Sequence, residues 1–492
     1  MIQPVRARFA PSPTGHIHLG SARTALYDYL IARQTGGQFI LRIEDTDRKR
    51  IVPGAEAELL NGLRWLGVEW DEGPDKRGPF GPYRQSERKE IYSKYAEQLI
   101  HQGNAYYCFC TPERLQQIRQ EKLRNKQQPH YDGLCRNLSG EEMASRVQEG
   151  IPYVVRFRSP KTGQTVVRDL IRGEIAVDNT MLDDYILVKS DGWALYHLAA
   201  IVDDYLMNIT HVIRGSEWLP TLPLHSLIWR AFGWQEPVWV HLSVFLKPSG
   251  KGKMSKREAT ELIKDGHSIF IKDFQDLGYL PEAVVNWIAL MGWSYDDRLE
   301  FFTLEDLIEK FSLEKLNPSP AAINFSKLDH FNKLHIKNLT GEDLCHRLIP
   351  FFERDGIKPE ESRLLAIIPA IRERLVTLED SVAFCEFLFK EKIELEKKFL
   401  QIEGKSDSET GKIIRQFQFL LEKTNQWNYE TLENITQGFM EKKGLTPKQI
   451  YSVIREAISG QRITPPLFES MVALGKEITL LRLAQAVKIL EG

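Results

Sequence analysis

VRARFAPSPTGHIHLGSARTALYDYLIARQTGGQFILRIEDTD, residues Val5–Asp47, decides the fold class of this chain. VRARFA at Val5–Ala10 reads as a strand. PSPTG is turn chemistry, proline fixing φ and glycine permitting positive φ. From Ser21 the run ARTALYDYLIARQ has a helical pattern, which Gly36 and Gly37 stop. QFILRIEDTD starts as an apolar strand and ends in acids. Strand, loop, helix and strand, with the loop at the first strand's carboxyl end, is the nucleotide-site geometry of an open α/β sheet. Alone, the stretch fits any Rossmann-like domain.

A second string, GKGKMSKR at Gly250–Arg257, narrows that reading. It is a glycine-flanked loop carrying Lys251, Lys253, Lys256 and Arg257. The first string offers the His18 imidazole and backbone donors at a helix start, where orphan N–H groups and the dipole favour anions. The second offers mobile cations. Cations that meet pyrophosphate charge as it develops lower a phosphoryl-transfer barrier, so both strings on one triphosphate would run nucleotidyl transfer. Each alone is weak, because a lysine-bearing loop is usually just solvated; together, in this order, they are strong. No Walker-type GxxxxGK[ST] loop competes.

Composition sets the outer bounds. The 492 residues predict three or more domains. No apolar run approaches the ~18 residues of a membrane span, and MIQPVRARFAPSP lacks a signal core, so no membrane partner is expected and the expected location is cytoplasmic. Five cysteines, an odd and sparse set, fit a reducing compartment. A formal charge of −2 neither predicts nor excludes a nucleic-acid partner.

The texture divides the chain. Residues 1–104 read as the first half of the nucleotide domain. Residues 105–194, with the strand-like runs YVVRFR, QTVVRDL, EIAV and YILVKS, read as an α+β insertion. Residues 195–235 return to the first domain, 236–333 carry the lysine loop and helical segments, and 334–492 are amphipathic helices. Leu364, Ile368, Ile371, Leu375 and Leu378 form one stripe at helical spacing, interrupted by Pro369, where a kink or restart is expected.

PSPTGHIHLG, RIEDTD, YHLAAIVDDYLMNITHVIRGSEWL, KGKMSKR and the C-terminal ITPPLFESMVALGKE resemble, from end to end, the bacterial glutamyl-tRNA synthetases, class I aminoacyl-tRNA synthetases. The resemblance implies a Rossmann-like catalytic domain with an α+β insertion, a helical stem-contact domain and an all-α anticodon-binding half. It implies that ATP and L-glutamate form glutamyl-adenylate, with Mg²⁺ shielding the triphosphate, before transfer to the terminal adenosine of tRNA(Glu). A monomer is expected. Glutaminyl-tRNA synthetases differ in having a β-barrel second half, and a truncated paralogue that modifies queuosine is shorter. Charging of both tRNA(Glu) and tRNA(Gln) stays open, as does a non-catalytic tRNA-binding paralogue, although no key residue is damaged.

Residue by residue, His18 matches the first histidine of the HIGH motif, written HLGS here, while His16 reads as an exposed loop residue. Lys253 and Lys256 match the catalytic lysines of the mobile loop. Pro11, Thr14, Gly15, Gly20 and Ser21 match ATP-site positions on the first string. Glu217 and Leu246 line the same site, as do Met254, Ser255 and Arg257. A substrate with two carboxylates and one ammonium calls for two guanidinium forks and an acid: Arg8, Arg214 and Glu44. Ala10, Ser12, Tyr196 and Trp218 complete the matched glutamate pocket. The sequence does not say which arginine takes the side-chain carboxylate. Ala200 departs from the family, which often has asparagine there. Cys108, Cys110 and Cys135 match a zinc knuckle found in part of the family. Its usual histidine is replaced by Asn137, while Tyr131 matches the ligand of the truncated paralogues, so the alternatives are a structural Zn²⁺ site and three free buried thiols. IRERLVTLED at Ile371–Asp380 resembles the helix that reads the anticodon, with Arg372 and Arg374 as its contacts or as solvated flank residues.

Overall fold

The computed structural model describes residues 3–252, 262 and 267–492. The chain forms two compact units, Met1–Asp273 with Val284–Phe325, and Phe274–Ala283 with Ser326–Gly492. Among the described residues, two larger sheets organise the first unit, built from β1 (Arg6–Phe9), β2 (Gln38–Leu41), β3 (Ala105–Cys108), β4 (Val154–Phe157), β5 (Gln164–Asp169), β6 (Gly173–Asp178), β7 (Ile186–Val188), β8 (His211–Gly215) and β9 (Val238–Leu242). The main sheet runs β2-β1-β8-β9-β5-β6. It is parallel from β2 through β5, and the β5–β6 hairpin adds the antiparallel edge. Buried Ala7, Phe9, Phe39, Ile40, Val212 and Ile213 fill its central strands, the near-continuous apolar reading expected of a covered parallel sheet.

Helix α1 (Leu19–Gln34) crosses from β1 to β2 and buries eleven of its sixteen residues. The turn after it passes so close to β1 that a Cβ on Gly37 would lie 1.9 Å from Val5 O; only glycine fits. The strands read from residues 105–194 divide between two sheets. β3, β4 and β7 form a separate antiparallel sheet, whereas β5 and β6 join the main one through β9.

The second unit is built of helices, and its core includes the whole Leu364–Leu378 stripe. The helix Glu361–Ile371 runs past Pro369 rather than restarting there, then tightens into a 3₁₀ turn at Arg372–Arg374. IRERLVTLED is therefore not one helix. The Asp380 carboxylate accepts from the Val376 and Thr377 amides at 2.8 and 2.9 Å, and that local bonding competes with helix continuation. Among the described residues no helix is long and apolar enough to cross a membrane.

Candidate active site

The chain leaves β1 at Phe9 and turns through Ala10–Gly15 toward α1. Backbone bonds hold the turn: Arg42 N–H to Phe9 O at 3.0 Å, Glu44 N–H to Pro11 O at 2.9 Å, Val52 N–H to Pro13 O at 3.0 Å and, within it, Thr14 N–H to Ser12 O at 2.8 Å. Ser12 is exposed, Pro11 and Thr14 are half-buried, and Gly15 has φ +141°, a conformation that favours glycine. His18 is the N-cap of α1. Its Nδ1 accepts from Gly20 N–H at 3.1 Å and Ser21 N–H at 3.3 Å, which leaves the ring proton on Nε2, 3.1 Å from Ser21 Oγ. An added Cβ on Gly20 would sit 3.1 Å from the His18 ring, so glycine there lets the imidazole lie against the helix amides. The imidazole thus caps the helix N-terminus, the end whose dipole favours anions.

Lys253, Met254, Ser255, Lys256 and Arg257 lie outside the described residues. Beyond them the chain returns to His18: Leu19 N–H donates to Ile269 O at 2.7 Å and Ile271 N–H to Ile17 O at 3.0 Å. Buried Arg23 ties α1 to the approach side, donating to Ser243 O and to Met291 O at 2.8 Å with its guanidinium 4.0 Å from the Phe245 ring. Leu246 follows in the two-residue strand Phe245–Leu246, and Glu217 lies on the 3₁₀ turn Ser216–Thr221.

Arg8, near the end of β1, is buried in an ion-pair cluster. Its Nε donates to Asp204 Oδ1 at 3.0 Å and its NH1 to Ile213 O at 3.3 Å. Arg42, fully enclosed, donates to the same Asp204 oxygen at 2.7 Å and to Glu44 Oε1 at 3.1 Å. Asp203 accepts from Arg88 Nε at 2.7 Å, Tyr92 OH at 2.8 Å and Gln85 Nε2 at 2.9 Å. Burial works against the Asp204 charge, but Arg8 and Arg42 outweigh it and hold the carboxyl below the usual range. Glu44 goes the other way: burial pushes its carboxyl up, and Arg42 and Arg8 only partly offset this. Asp28 of α1 is wholly buried, with neither carboxyl oxygen bonded among the described residues. Burial drives it well above the ordinary carboxylate value.

Arg214, on β8, is held differently. Its Nε donates to His241 Nε2 at 2.9 Å, and its NH1 donates to His225 Nδ1 at 3.0 Å and to Tyr196 OH at 3.2 Å. NH2 is enclosed and has no hydrogen-bond partner among the described residues. Because a guanidinium only donates, both facing imidazole nitrogens accept. The His241 proton then sits on Nδ1, 2.8 Å from Asp169 Oδ2, and the His225 proton on Nε2, 3.0 Å from His197 Nδ1. Burial, seconded for His225 and His197 by the Arg214 charge, keeps these rings neutral: His225 falls well below the usual value, His197 to about 4, and His241 is lowered although Asp169 opposes it. Tyr196 and Trp218 pack with ring centroids 4.2 Å apart.

The structure thus gathers Arg8, Glu44, Tyr196, Arg214 and Trp218 around the carboxyl ends of β1 and β8. Ala200, in the helix Tyr196–Leu206, is buried. Sequence reasoning passed over Arg42, Asp203, Asp204, Asp169, His225 and His241. Their signal was a charge or imidazole inside an otherwise apolar run, as in FILRIED and AAIVDDYL, where burial forces a partner.

In the insertion, Cys110 Sγ lies 3.6 Å from Cys135 Sγ, and Tyr131 OH lies 3.5 and 3.4 Å from the Cys108 and Cys110 sulfurs. Asn137 is exposed. In the second unit Arg374 donates to Thr464 O at 3.0 Å, and Arg372 Nε is enclosed without a partner among the described residues. Lys398, Lys448, Arg455 and Arg462 line a nearby cavity of about 290 Å³.

Residues 4–330 match the family described as the class I tRNA synthetase (E and Q) catalytic domain, and residues 343–487 match an anticodon binding domain. That is the class the sheet and the histidine-capped helix define. A glutamate-tRNA ligase of Dehalococcoides mccartyi strain CBDB1 is 41% identical over 494 residues, spanning 99% of this chain and 98% of the relative. One from Roseiflexus sp. strain RS-1 is 43% identical over 98% of this chain and 96% of the relative. The crystal structure of a glutamate tRNA ligase from Elizabethkingia meningosepticum CCUG26117, in complex with its amino acid, superposes with a TM-score of 0.90 at 36% identity, covering 99% of each chain. The chain belongs to the glutamate-tRNA ligase family.

Proposed function

We propose that this chain activates L-glutamate with ATP and transfers it to the 3′-terminal adenosine of tRNA(Glu). The glutamate α-carboxylate attacks the α-phosphorus of ATP, forming glutamyl-adenylate as the bond to pyrophosphate breaks. The adenosine 2′-hydroxyl then attacks the acyl carbon and AMP leaves. Mg²⁺ travels with the nucleotide and shields its charge. The observation that carries the reading is a buried guanidinium, Arg214, whose NH2 has no partner among the described residues and whose neighbour Tyr196 also lies near the buried acid Glu44, in the same compact unit as the helix capped by His18.

In this reading the His18 imidazole at the start of α1, with Pro11, Thr14, Gly15, Gly20 and Ser21 around it, receives the triphosphate. Glu217 and Leu246 line the nucleotide. Lys253 and Lys256 meet the pyrophosphate charge, flanked by Met254, Ser255 and Arg257. Arg214 and Arg8 receive the two carboxylates, Glu44 the ammonium; Tyr196, Ser12, Ala10 and Trp218 shape the rest. Arg372 and Arg374 read the anticodon and favour tRNA(Glu) over tRNA(Gln). The chain acts as a monomer in the cytoplasm. Residues 1–104 and 195–235 are the catalytic domain, 105–194 its acceptor-binding insertion, 236–333 the stem-contact domain and 334–492 the anticodon domain. Pyrophosphate exchange with glutamate and with glutamine, each with and without tRNA, tests the reading: glutamate-dependent exchange supports it, and equal use of glutamine sinks it.

Cys108, Cys110, Tyr131 and Cys135 fit a structural zinc. Tetrahedral thiolates about 2.3 Å from Zn²⁺ lie ~3.8 Å apart, close to the 3.6 Å between Cys110 and Cys135. The three sulfurs all lie within 4.8 Å of one another. Bound zinc would tie β3 to the segment around Cys135. Elemental analysis should find one zinc per chain, lost in Cys135→Ser; a metal-free wild-type protein leaves three free thiols as the correct description.

A further inference from the structure

We propose that Asp169, His241, His225 and His197 are positioning residues that aim Arg214 at the substrate carboxylate, and that they do so through neutral acceptors so that the arginine's charge stays free for the substrate. This rests on the glutamate-activating reading above.

The hydrogen-bond count carries the argument. A guanidinium has five N–H groups. Three of them go to His241, His225 and Tyr196, and the two on NH2 have no partner among the described residues. The direction of that free edge depends on both imidazoles presenting a bare nitrogen, which each does only because its other nitrogen is committed. His241 Nδ1–H is taken by Asp169 Oδ2, which also accepts the His241 backbone N–H at 3.0 Å. Asp169 is itself fixed, since its Oδ1 accepts from the Ile171 and Arg172 amides at 3.0 and 2.9 Å at the β5–β6 turn. His225 Nε2–H is taken by His197. Two short chains of fixed tautomers therefore converge on one arginine, as an outer carboxylate orients a metal-bound histidine.

The choice of imidazole has its own consequence. A carboxylate in the place of His241 or His225 would hold Arg214 as firmly, but it would pair with the guanidinium as Asp204 pairs with Arg8 and cancel its pull on an anion. A neutral acceptor of the same reach orients without neutralising.

Asp169→Asn tests this. The asparagine oxygen can keep the turn amides, which turns its NH2 toward His241. The ring proton must then move to Nε2, where it opposes Arg214 Nε–H, donor against donor. In tRNA-supplemented pyrophosphate exchange, the KM for glutamate should rise about 10–100-fold, the usual loss when an orienting partner is removed, with kcat and the KM for ATP within about threefold, as for a lost uniform binding contact. His241→Leu should reproduce this. His241→Gln, whose amide oxygen reaches the Nε2 position, should restore the wild-type KM to within about threefold. If Asp169→Asn fails to fold, His225→Leu against His225→Asn repeats the comparison on the other chain, asparagine keeping an acceptor at the Nδ1 position. An unmoved glutamate KM in the leucine variants, or an equal rise in both KM values, overturns the positioning role. Wild-type protein run alongside separates the two claims: no glutamate-dependent exchange at all overturns the functional reading and this proposal together, whereas active wild-type with unmoved variants overturns this proposal only.

Discussion

Arg8 and Arg214 belong to one catalytic unit and face one tyrosine, Tyr196, yet they are held by opposite means. Arg8 is bonded to the Asp204 carboxylate, which it shares with Arg42. Arg214 is bonded to two imidazoles and a phenol. Burying charge without a partner is costly, so the Arg8 region resolves its own electrostatics on folding. The Arg214 region does not. It leaves a positive charge whose hydrogen-bond partners among the described residues are all neutral, a charge that on the proposed reading a substrate carboxylate would complete. On the proposed reading one arginine serves the fold and the site together, and the other serves the site.

The sharpest break of that contrast is a matched pair of variants. Arg214→Gln should lower kcat/KM for glutamate by about 10³-fold, the loss of a buried charged contact. Its unfolding free energy should fall by only about 1–2 kcal/mol, because it strands neutral imidazole acceptors and no ion-pair partner. Arg8→Gln leaves Asp204 with Arg42 alone and should cost about 2–4 kcal/mol of stability as well as activity. Urea unfolding beside exchange kinetics decides it. If Arg214→Gln unfolds as readily as Arg8→Gln, the two arginines are structural alike.

Glu44 joins the two regions and yields the next largest effect. Its carboxyl is raised by burial, so the ionised form costs stability at neutral pH, and that cost disappears once the group is neutral. Glu44→Gln should therefore unfold no more easily than wild type while losing about 10²-fold in glutamate activation, since the substrate ammonium loses its counter-charge. Arg42 keeps Asp204 and Asp203 in either case. A variant both less stable and fully active would show that Glu44 belongs to the ion-pair cluster alone.

How far the sequence anticipated this differs between the regions. The strand–loop–helix–strand order was legible, because turn residues and apolar periodicity are local signals. The start of α1 was not: the sequence reading begins it at Ser21, two residues late, because histidine is outside the usual N-cap set and only geometry shows it accepting from Gly20 and Ser21. β5 and β6 were visible as strands, but their place in the main sheet depends on Asp169 reaching β9 about 70 residues later, a long-range pairing that no local pattern encodes. Arg8, Glu44 and Arg214 were named from the resemblance. The histidines behind Arg214 were not, since each sits alone in an apolar stretch and acquires meaning only from tautomers that the fold imposes.

The two regions should also fail at different pH. The folded values of His197, His225 and His241 are lowered, so the unfolded chain takes up their protons first. Stability should fall as pH drops below about 6.5, continuing for His197 down to about 4. Each such group contributes up to ~1.4 kcal/mol per pH unit. The Asp204 value is depressed instead, so its contribution is complete above about 3.9 and is lost only below that. His211 is lowered too and adds to the same slope, so the informative measurement is wild type against His197→Gln. The variant should show a shallower loss of stability between about pH 6 and 4.5, and identical slopes would mean that His197 does not titrate with folding.

The smallest effect expected is at Asp28, and it tests the charge count around Arg8. If Asp28 were ionised, Arg8 would face two carboxylates and its charge would be more than matched. Its oxygens have no hydrogen-bond donor among the described residues, and its carboxyl is driven far upward by burial and, in smaller part, by Asp204, against the opposing pull of Arg8. Both observations favour the neutral acid, and an amide is nearly its isostere. Asp28→Asn should shift unfolding by less than about 0.5 kcal/mol and leave kcat/KM for glutamate within about twofold, as for swaps that remove no interaction. A gain in glutamate affinity above about tenfold would show that the wild-type carboxylate is ionised and pulls charge from Arg8. In that case the field of Arg8 is trimmed twice, by Asp204 and by Asp28, and the contrast with Arg214 is sharper still.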